Sequence, residues 1–488
     1  MTCWGWRLTV VGMLALCLWY GTRALPQTTL VAVAPVWAPR RDQSYSSTRE
    51  VSRLSVLPDG TLWAATSGGA LQFQNGIWKK FNSLPRELAG QDRAPLKWRG
   101  QRVTASFDEL VFGEGSGTRR VPMPPSTGSH ISALLPRGGV LWAALFGDGI
   151  WAWNGTKWGQ TDLRLPEQAR EITALAQSAD GKVVWVGTRR QGIWEFSSGQ
   201  WQQHLEPNEP YAQNVQCLQA FRGALWGSTL EDGLIVRDAN GWRHIGKGKS
   251  TLSSNAPRQM VVFAGKLYVR HSNEIVDQFD GVTWKRNIFP VLPRRQIISL
   301  AADAKRLYLG QWGGWSEWDG KTFSHHLRLP ELQIVPLQHI VPDGESVWLG
   351  TENRGLFCWN PASQKLEHFD ERDGLPDHWI TAFNRTGATV FAGTFGSGLA
   401  MRGDGGTRWQ AAPELQGTGI TALVRGATGE TWIATRIGLF KCNAQGEVQV
   451  CNASLTSQQR EIQALLWTPK GLWIGTRNGL LFRATPIS

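Results

Sequence analysis

The chain has 488 residues, of which 18% are charged and 41% hydrophobic, with 55 Gly and 27 Trp. That balance excludes a disordered chain. The formal charge of +12 permits an anionic partner, but no dense Lys/Arg run is present, so no nucleic-acid partner is expected.

Residues 1–24 read as a signal peptide. Arg7 supplies the positive n-region, and residues 8–20 (LTVVGMLALCLWY) form an apolar run that is short for a membrane span. Thr22-Arg23-Ala24 offers a small-residue cleavage site. The expected location is therefore periplasmic or secreted, with anchoring by an uncleaved N-terminal segment as the alternative. Beyond this segment four cysteines remain, Cys217, Cys358, Cys442 and Cys451. Four are too few for a disulfide framework. Cys442 and Cys451 flank an Asn-Ala-Gln-Gly turn, and a cross-hairpin disulfide is expected there, two buried thiols being the alternative. No Cys/His spacing resembles a metal site, and no cofactor is expected.

From residue 51 onward one phrase recurs: apolar, Trp, apolar, Ala or Gly, Thr, a short loop, Gly, then a second apolar stretch. It reads LWAATSGGALQF from Leu62, LWAALFGDGIWAW from Leu141, VWVGTRRQGIWEF from Val184 and LWGSTLEDGLIV from Leu225. It continues as VWLGTENRGLFCW from Val347, VFAGTFGSGLAM from Val390, TWIATRIGLFKC from Thr431 and LWIGTRNGLLF from Leu472. Weaker copies start at Arg102, Leu267 and Leu307. The second residue of each phrase runs from 63 to 473 in ten steps averaging about 41 residues, so eleven copies are present. An apolar stretch such as EITALAQ or GITALVR precedes each phrase, and an Asn-Gly or Asp-Gly turn leads into a last strand, as in NGIWKKF and DGVTWKRN. Four strands per repeat at this period predict an all-β protein, a β-propeller of eleven four-stranded blades.

The repeat resembles the two-component-regulator propeller family, with its "LWIGT…GL" blades and "DGLP" turns. Asp373-Gly374-Leu375-Pro376 matches that turn as it stands, and Leu84-Pro85, Leu165-Pro166, Leu292-Pro293 and Leu329-Pro330 are looser versions. The resemblance covers nearly all of the chain after the signal. It implies a sensor-type propeller, and carbohydrate as a ligand class. The chain ends at Ser488 with no kinase or response domain, so signalling is expected to need a membrane kinase or other envelope protein as partner.

The last repeat lacks a fourth strand. Segment 25–50 is expected to supply it, through a strand within 28–41 (TTLVAVAPVWAPRR), so that no sheet edge stays open. Eleven blades exceed the usual single ring. Either the array forms two rings or it forms one wide ring. The Gly/Ser/Lys-rich stretch 246–257 suggests a break between blades 1–5 (51–250) and blades 6–11 (251–488).

Trp on the second and fourth strands is expected to pack between sheets. Trp312 and Trp315, in GQWGGWSEW, fall in or beside a loop of the expected binding face, where flat rings would stack on a sugar. Loops on that face also carry Arg189, Arg190, Glu352, Arg354, Arg436 and Arg477, and Trp379 follows the DGLP turn. Arginines there would attract an anionic ligand. No nucleophile elbow, zinc-protease, P-loop or dinucleotide motif is present, and no catalytic residue is assigned. The expectation is an exported, non-catalytic sensor or binding protein for a carbohydrate or cell-wall-derived ligand. The alternatives are an envelope protein-interaction scaffold, and a lyase or hydrolase of polysaccharides.

Overall fold

Short turns organise the chain before any long-range contact forms. Asn75 and Gly76 both take positive φ between the strands Gly69–Gln74 and Ile77–Phe81, as a two-residue hairpin requires. In blades 6 and 7 the Asp280 and Asp319 carboxylates accept the next two available backbone N–H groups and hold the same turn.

The computed structural model describes residues 38–39, 41–89, 96–206, 208–293, 296–327, 329–403, 405–443, 445–453 and 455–484. The signal peptide read at 1–24 lies outside them. The described strands form eleven four-stranded antiparallel sheets, as the repeat predicts. They are blades 1 (51–81), 2 (96–122), 3 (131–160), 4 (172–204), 5 (215–245), 6 (257–285), 7 (299–326), 8 (337–369), 9 (380–411), 10 (420–450) and 11 (462–484). Blade 11 takes its fourth strand from the N-terminal segment: Gln43–Tyr45 pairs antiparallel with Gly479–Ala484, Tyr45 opposite Leu480. The closing strand thus falls within segment 25–50 but just after 28–41. Tyr45 explains the choice, since its ring packs edge-on against Trp242 and stacks on Trp473.

Each phrase now has a physical meaning. The Thr hydroxyl at the end of the second strand donates across the loop to the carbonyl of the Gly that starts the third, as in Thr351 to Gly355 and Thr394 to Gly398, both 2.8 Å. It also accepts a loop N–H, from Arg354 and Ser397 respectively. The Ala or Gly before it leaves room for the next blade. A Cβ on Gly187 would meet Val51 Cγ1 at 2.6 Å, and one on Gly475 would meet Val215 Cγ1 at 2.9 Å. Two of the weaker copies replace Thr with buried polar groups: His271 in blade 6, bonded to Asp277, and Gln311 in blade 7, bonded to Ser316.

Those two glycine contacts show how the blades are arranged. Gly475 of blade 11 meets Val215 of blade 5, and blades 5 to 11 pack each on the next. They form a closed cycle of seven. Gly187 of blade 4 meets Val51 of blade 1, so the other blades pack in the order 2, 3, 4, 1. The division therefore lies between blades 4 and 5 and not at 246–257. That stretch is part of the folded core: Leu252 is buried with Trp226 and Met260 in one cluster spanning blades 5 and 6, and the Asp277 carboxylate holds Ser253. Between blades 4 and 5, the buried Glu209 accepts from Thr48 N at 2.8 Å and Thr48 Oγ1 at 2.9 Å. The connector is thereby tied to the N-terminal segment. Burial pushes the Glu209 carboxyl up from its ordinary range.

Second-strand aromatics finish the interfaces. Trp226 meets Trp284 of the next blade, Trp348 meets Trp409, and Trp185 of blade 4 meets Trp78 of blade 1. The disulfide expected between Cys442 and Cys451 is absent, and both are free thiols. Cys442 lies opposite Val448, whereas Cys451 N bonds to Leu439 O. The three-residue offset along the strand is about 10 Å, beyond the roughly 7 Å reach of a disulfide.

The closure can be tested at Gly475. Gly475→Ala should lower stability by about 1–3 kcal/mol through overpacking against Val215. Combining it with Val215→Ala should give less than the sum of the two single losses in denaturant unfolding. Additive losses would place Gly475 away from blade 5.

Candidate functional site

Nine of the blades carry a β-bulge at the second residue of the first strand, and that residue is polar every time. It is Ser52, Ser132, Thr173, Gln216, Arg258, Gln338, Thr381, Thr421 or Gln463. A bulge leaves its residue outside the ladder and re-aims the side chain. First strands of successive blades pack on one another, so in the seven-bladed ring these side chains gather around the axis. Thr381 Oγ1 donates to Ile420 O at 2.5 Å and Thr421 Oγ1 to Ile462 O at 2.7 Å, each reaching the following blade. Gln216 and Gln463 bond to each other across the closing interface.

A cavity of about 540 Å³ opens above this ring. Its walls include Gln216, His339, Thr381, Thr421 and Gln463 from the first strands, with Phe395, Arg436 and Glu461 at the rim. Trp379 stacks on Phe395 with centroids 4.1 Å apart and planes 9° from parallel, and the Arg436 guanidinium lies over Phe395 at 4.6 Å. Trp379 and Arg436 were expected on the binding face, and here they share one stack. Phe395 was missed because it occupies a loop position that carries charge in other repeats. The polar bulge position was also missed, although it is visible in sequence as the polar residue in the phrases ITA, IQA, VQC and LQH.

The other expected residues fall in several places. Trp315 is fully buried, stacked on His326 at 4.4 Å and edge-on to Trp359 of blade 8, with its indole N–H on Glu317. It cannot offer a face to a sugar. It stands on a strand rather than in the loop, pointing into the interface with blade 8. Trp312 is 39% exposed and bridges to Pro336, apart from the cavity lining. Glu352 accepts from the bulge residue Gln338 at 3.1 Å, and Arg354 sits exposed in the same loop.

Arg189, Arg190 and Arg477 come together elsewhere. They line a second cavity, of about 390 Å³, with Glu50, Ser67, Glu231 and Asp232, where blades 1, 4, 5 and 11 meet. Each already has a carboxylate. Arg189 pairs with Glu231 at 3.2 Å, Arg190 with Glu171 at 2.8 Å and also with Asp232, and Arg477 with Glu461 at 3.4 Å. Arg189 and Arg190 link blade 4 to blade 5, Arg477 pairs within blade 11, and the three do not form a free anion-attracting rim. Among the described residues, no group of three His, Cys, Asp or Glu side chains is placed to hold a metal ion.

No family model and no curated protein matches the chain. Solved structures do. PorZ, a surface component of the type-IX secretion system of Porphyromonas gingivalis, aligns over 93% of this chain and 73% of its own, with a TM-score of 0.56 at 12% identity. The extracellular domain of a hybrid two-component system from B. thetaiotaomicron aligns over 89% of this chain and 64% of its own, with a TM-score of 0.45 at 15% identity. A second such domain aligns over 92% and 84%, with a TM-score of 0.37 at 14% identity. The likeness is one of fold: the chain is a β-propeller protein.

The walls of the channel are electrostatically uneven. Burial, reinforced by the Arg270 charge, holds the His339 imidazole down to about 4, against an ordinary 6.5. Native His339 is then neutral where the unfolded chain begins to bind a proton. The unfolded state holds more protons between these two values, so the contribution is complete above pH 6.5 and is lost as pH falls toward 4. Denaturant midpoints of His339→Gln should therefore decline less than those of the parent over that window. Parallel profiles would remove His339 as a source of acid lability.

Proposed function

We propose that this protein is an exported, non-catalytic binding propeller that takes an acidic oligosaccharide, such as a cell-wall fragment carrying carboxylates, at the mouth of the seven-bladed channel. The observation that carries this reading is the stack of Trp379, Phe395 and Arg436, of which Phe395 and Arg436 line the cavity. Stacking on Phe395 holds the Arg436 fork in place without consuming its N–H donors. Among the described residues Arg436 has no carboxylate within ion-pairing distance, in contrast to Arg189, Arg190 and Arg477. A planar, pre-positioned guanidinium matches a carboxylate bidentately. The amide and hydroxyl side chains below it suit sugar hydroxyls, and the exposed edge of Phe395 suits the apolar face of a pyranose. Export rests on the segment 1–24, and the resemblance of the repeats supports a sensor role served by a partner protein.

The test is calorimetric titration with oligogalacturonates and with the same oligosaccharides after reduction of their carboxyl groups. The acidic series should bind and the reduced series should bind at least tenfold more weakly. Arg436→Gln should lose about tenfold or more in affinity for the acidic series, the worth of a charge-assisted pair. Equal binding of both series, or an Arg436→Gln variant with parental affinity, would sink the reading.

A further inference from the structure

The channel holds two more arginines, both on blade 6. Arg258 is the bulge residue of the first strand, and Arg270 stands on the second strand opposite Gln259. A bulge residue aims toward the axis, and residues around Arg270 place it there too. Its charge is felt by Cys217 of blade 5 and by His339 of blade 8, which lines the mouth cavity. Blades 5, 6 and 8 have only the ring axis in common.

Among the described residues neither arginine has a carboxylate within ion-pairing distance, although the Glu274 charge acts on Arg270 from farther away. Among the described residues their hydrogen bonds go to neutral oxygens: Arg258 Nη1 to Leu230 O at 3.3 Å, Arg270 Nε to Gln259 Oε1 at 3.4 Å, and Arg270 Nη1 to His271 O at 3.5 Å. All three are long for a guanidinium donor. Gln259 Oε1 also accepts from Leu300 N at 2.8 Å, so it is already well used. Burial, with Arg258 adding repulsion, brings Arg270 down to about 10 from 12.5. A half-buried charge without an ion-pair partner is costly, and a like charge nearby adds to the cost. Elsewhere in this chain the half-buried Arg190 has two carboxylates and Arg385 has Asp343. The channel pair departs from that pattern.

We propose that Arg258 and Arg270 form an oxyanion subsite in the wall of the seven-bladed channel, beneath the mouth, and that an incoming carboxylate, sulfate or phosphate supplies the missing counter-charge. This inference deepens the reading of the mouth as an acidic-glycan site and rests on it for the identity of the larger ligand. The subsite itself requires only an oxyanion. Two guanidinium groups near enough to repel each other favour a ligand that offers oxygens to both.

The experiment uses the full chain after its signal and four probes: galacturonate, inorganic sulfate, inorganic phosphate and neutral galactose. Melting temperature is followed against probe concentration at constant ionic strength, held with chloride. At least one oxyanion should raise the melting temperature saturably, and galactose should not; which oxyanion acts first identifies the ligand group. Arg270→Met should raise the melting temperature of the unliganded protein, because an uncompensated charge is removed, and should abolish the oxyanion response. Arg258→Gln, a half-buried position where an amide already stands in blades 5, 8 and 11, should keep the fold and weaken the response at least tenfold. An Arg270→Met protein that melts lower than the parent, or parental oxyanion responses in Arg258→Gln, would overturn the subsite. The two readings fail separately. Oxyanion responses that need Arg258 and Arg270, with no oligogalacturonate binding, would keep the subsite and remove the glycan. Oligogalacturonate binding that needs Arg436 but is unchanged in Arg258→Gln would do the reverse.

Discussion

The contact on which the whole chain depends is the one between the small residue before the buried Thr and the first aliphatic residue of the following blade. Gly187 against Val51 and Gly475 against Val215 are two cases of it, and Gly393 against Ile420 is a third. A four-stranded blade has two faces and cannot bury either alone. The small residue lets the next sheet approach closely, and the Trp beside it then covers the outer hairpin of that sheet, as Trp226 covers Trp284. The last blade of each consecutive run packs on one already made. Blade 11 finds blade 5, and blade 4 finds blade 1. The strand Gln43–Tyr45 then completes blade 11 across nearly the whole length of the chain. Such closure has a large loop-entropy cost, offset by the burial of Tyr45 against Trp242 and Trp473.

This explains which features were legible in the sequence. The period, the four strands and the turns are local, and each repeats eleven times, so the pattern exceeds any single deviation. The partition into four and seven blades is not local. Val51 and Val215 are the same kind of residue in the same position as Ile380 or Ile420, and nothing in their own neighbourhoods says which preceding blade they will meet. The Gly/Ser-rich stretch 246–257 misled for a related reason. Its composition suits a linker, but Leu252 and the bond from Ser253 to Asp277 turn it into part of the core.

The site was legible in part. Arg436 lines the mouth cavity and Trp379 stacks on its lining residue Phe395, but Trp315, the residue that looked most like a sugar platform, is core. The period of two decides the difference. Gly314 opens the strand, so Trp315 faces the neighbouring blade, while Trp312 remains in the loop. The polar bulge residues carry the clearest signal that went unread, since an isolated Thr or Gln between an aliphatic residue and Ala interrupts a stretch otherwise suited to a buried strand. Its recurrence makes it part of the architecture, and its side chain is the one first-strand group that the ladder does not constrain.

Two populations of arginine divide the molecule. At the meeting of blades 1, 4, 5 and 11, Arg189, Arg190 and Arg477 face carboxylates, Glu231 and Asp232 from the neighbouring blade and Glu171 and Glu461 from the same blade as their arginine. A ligand carboxylate entering that cavity would replace an intramolecular partner with an external one, gaining little in contact while losing translational and rotational freedom. In the channel the balance is reversed. Arg258 and Arg270 hold only neutral oxygens, and Arg436 rests on an aromatic ring. An anion arriving there meets donors that nothing else saturates, in surroundings drier than the rim, where each charge-assisted bond is worth more. Stability alone would favour pairing these arginines or replacing them with apolar residues of similar size. A fold that pairs its arginines at one cavity and leaves them unpaired along another has the means to pair both. The second cavity is therefore the one where an external charge has a place to go.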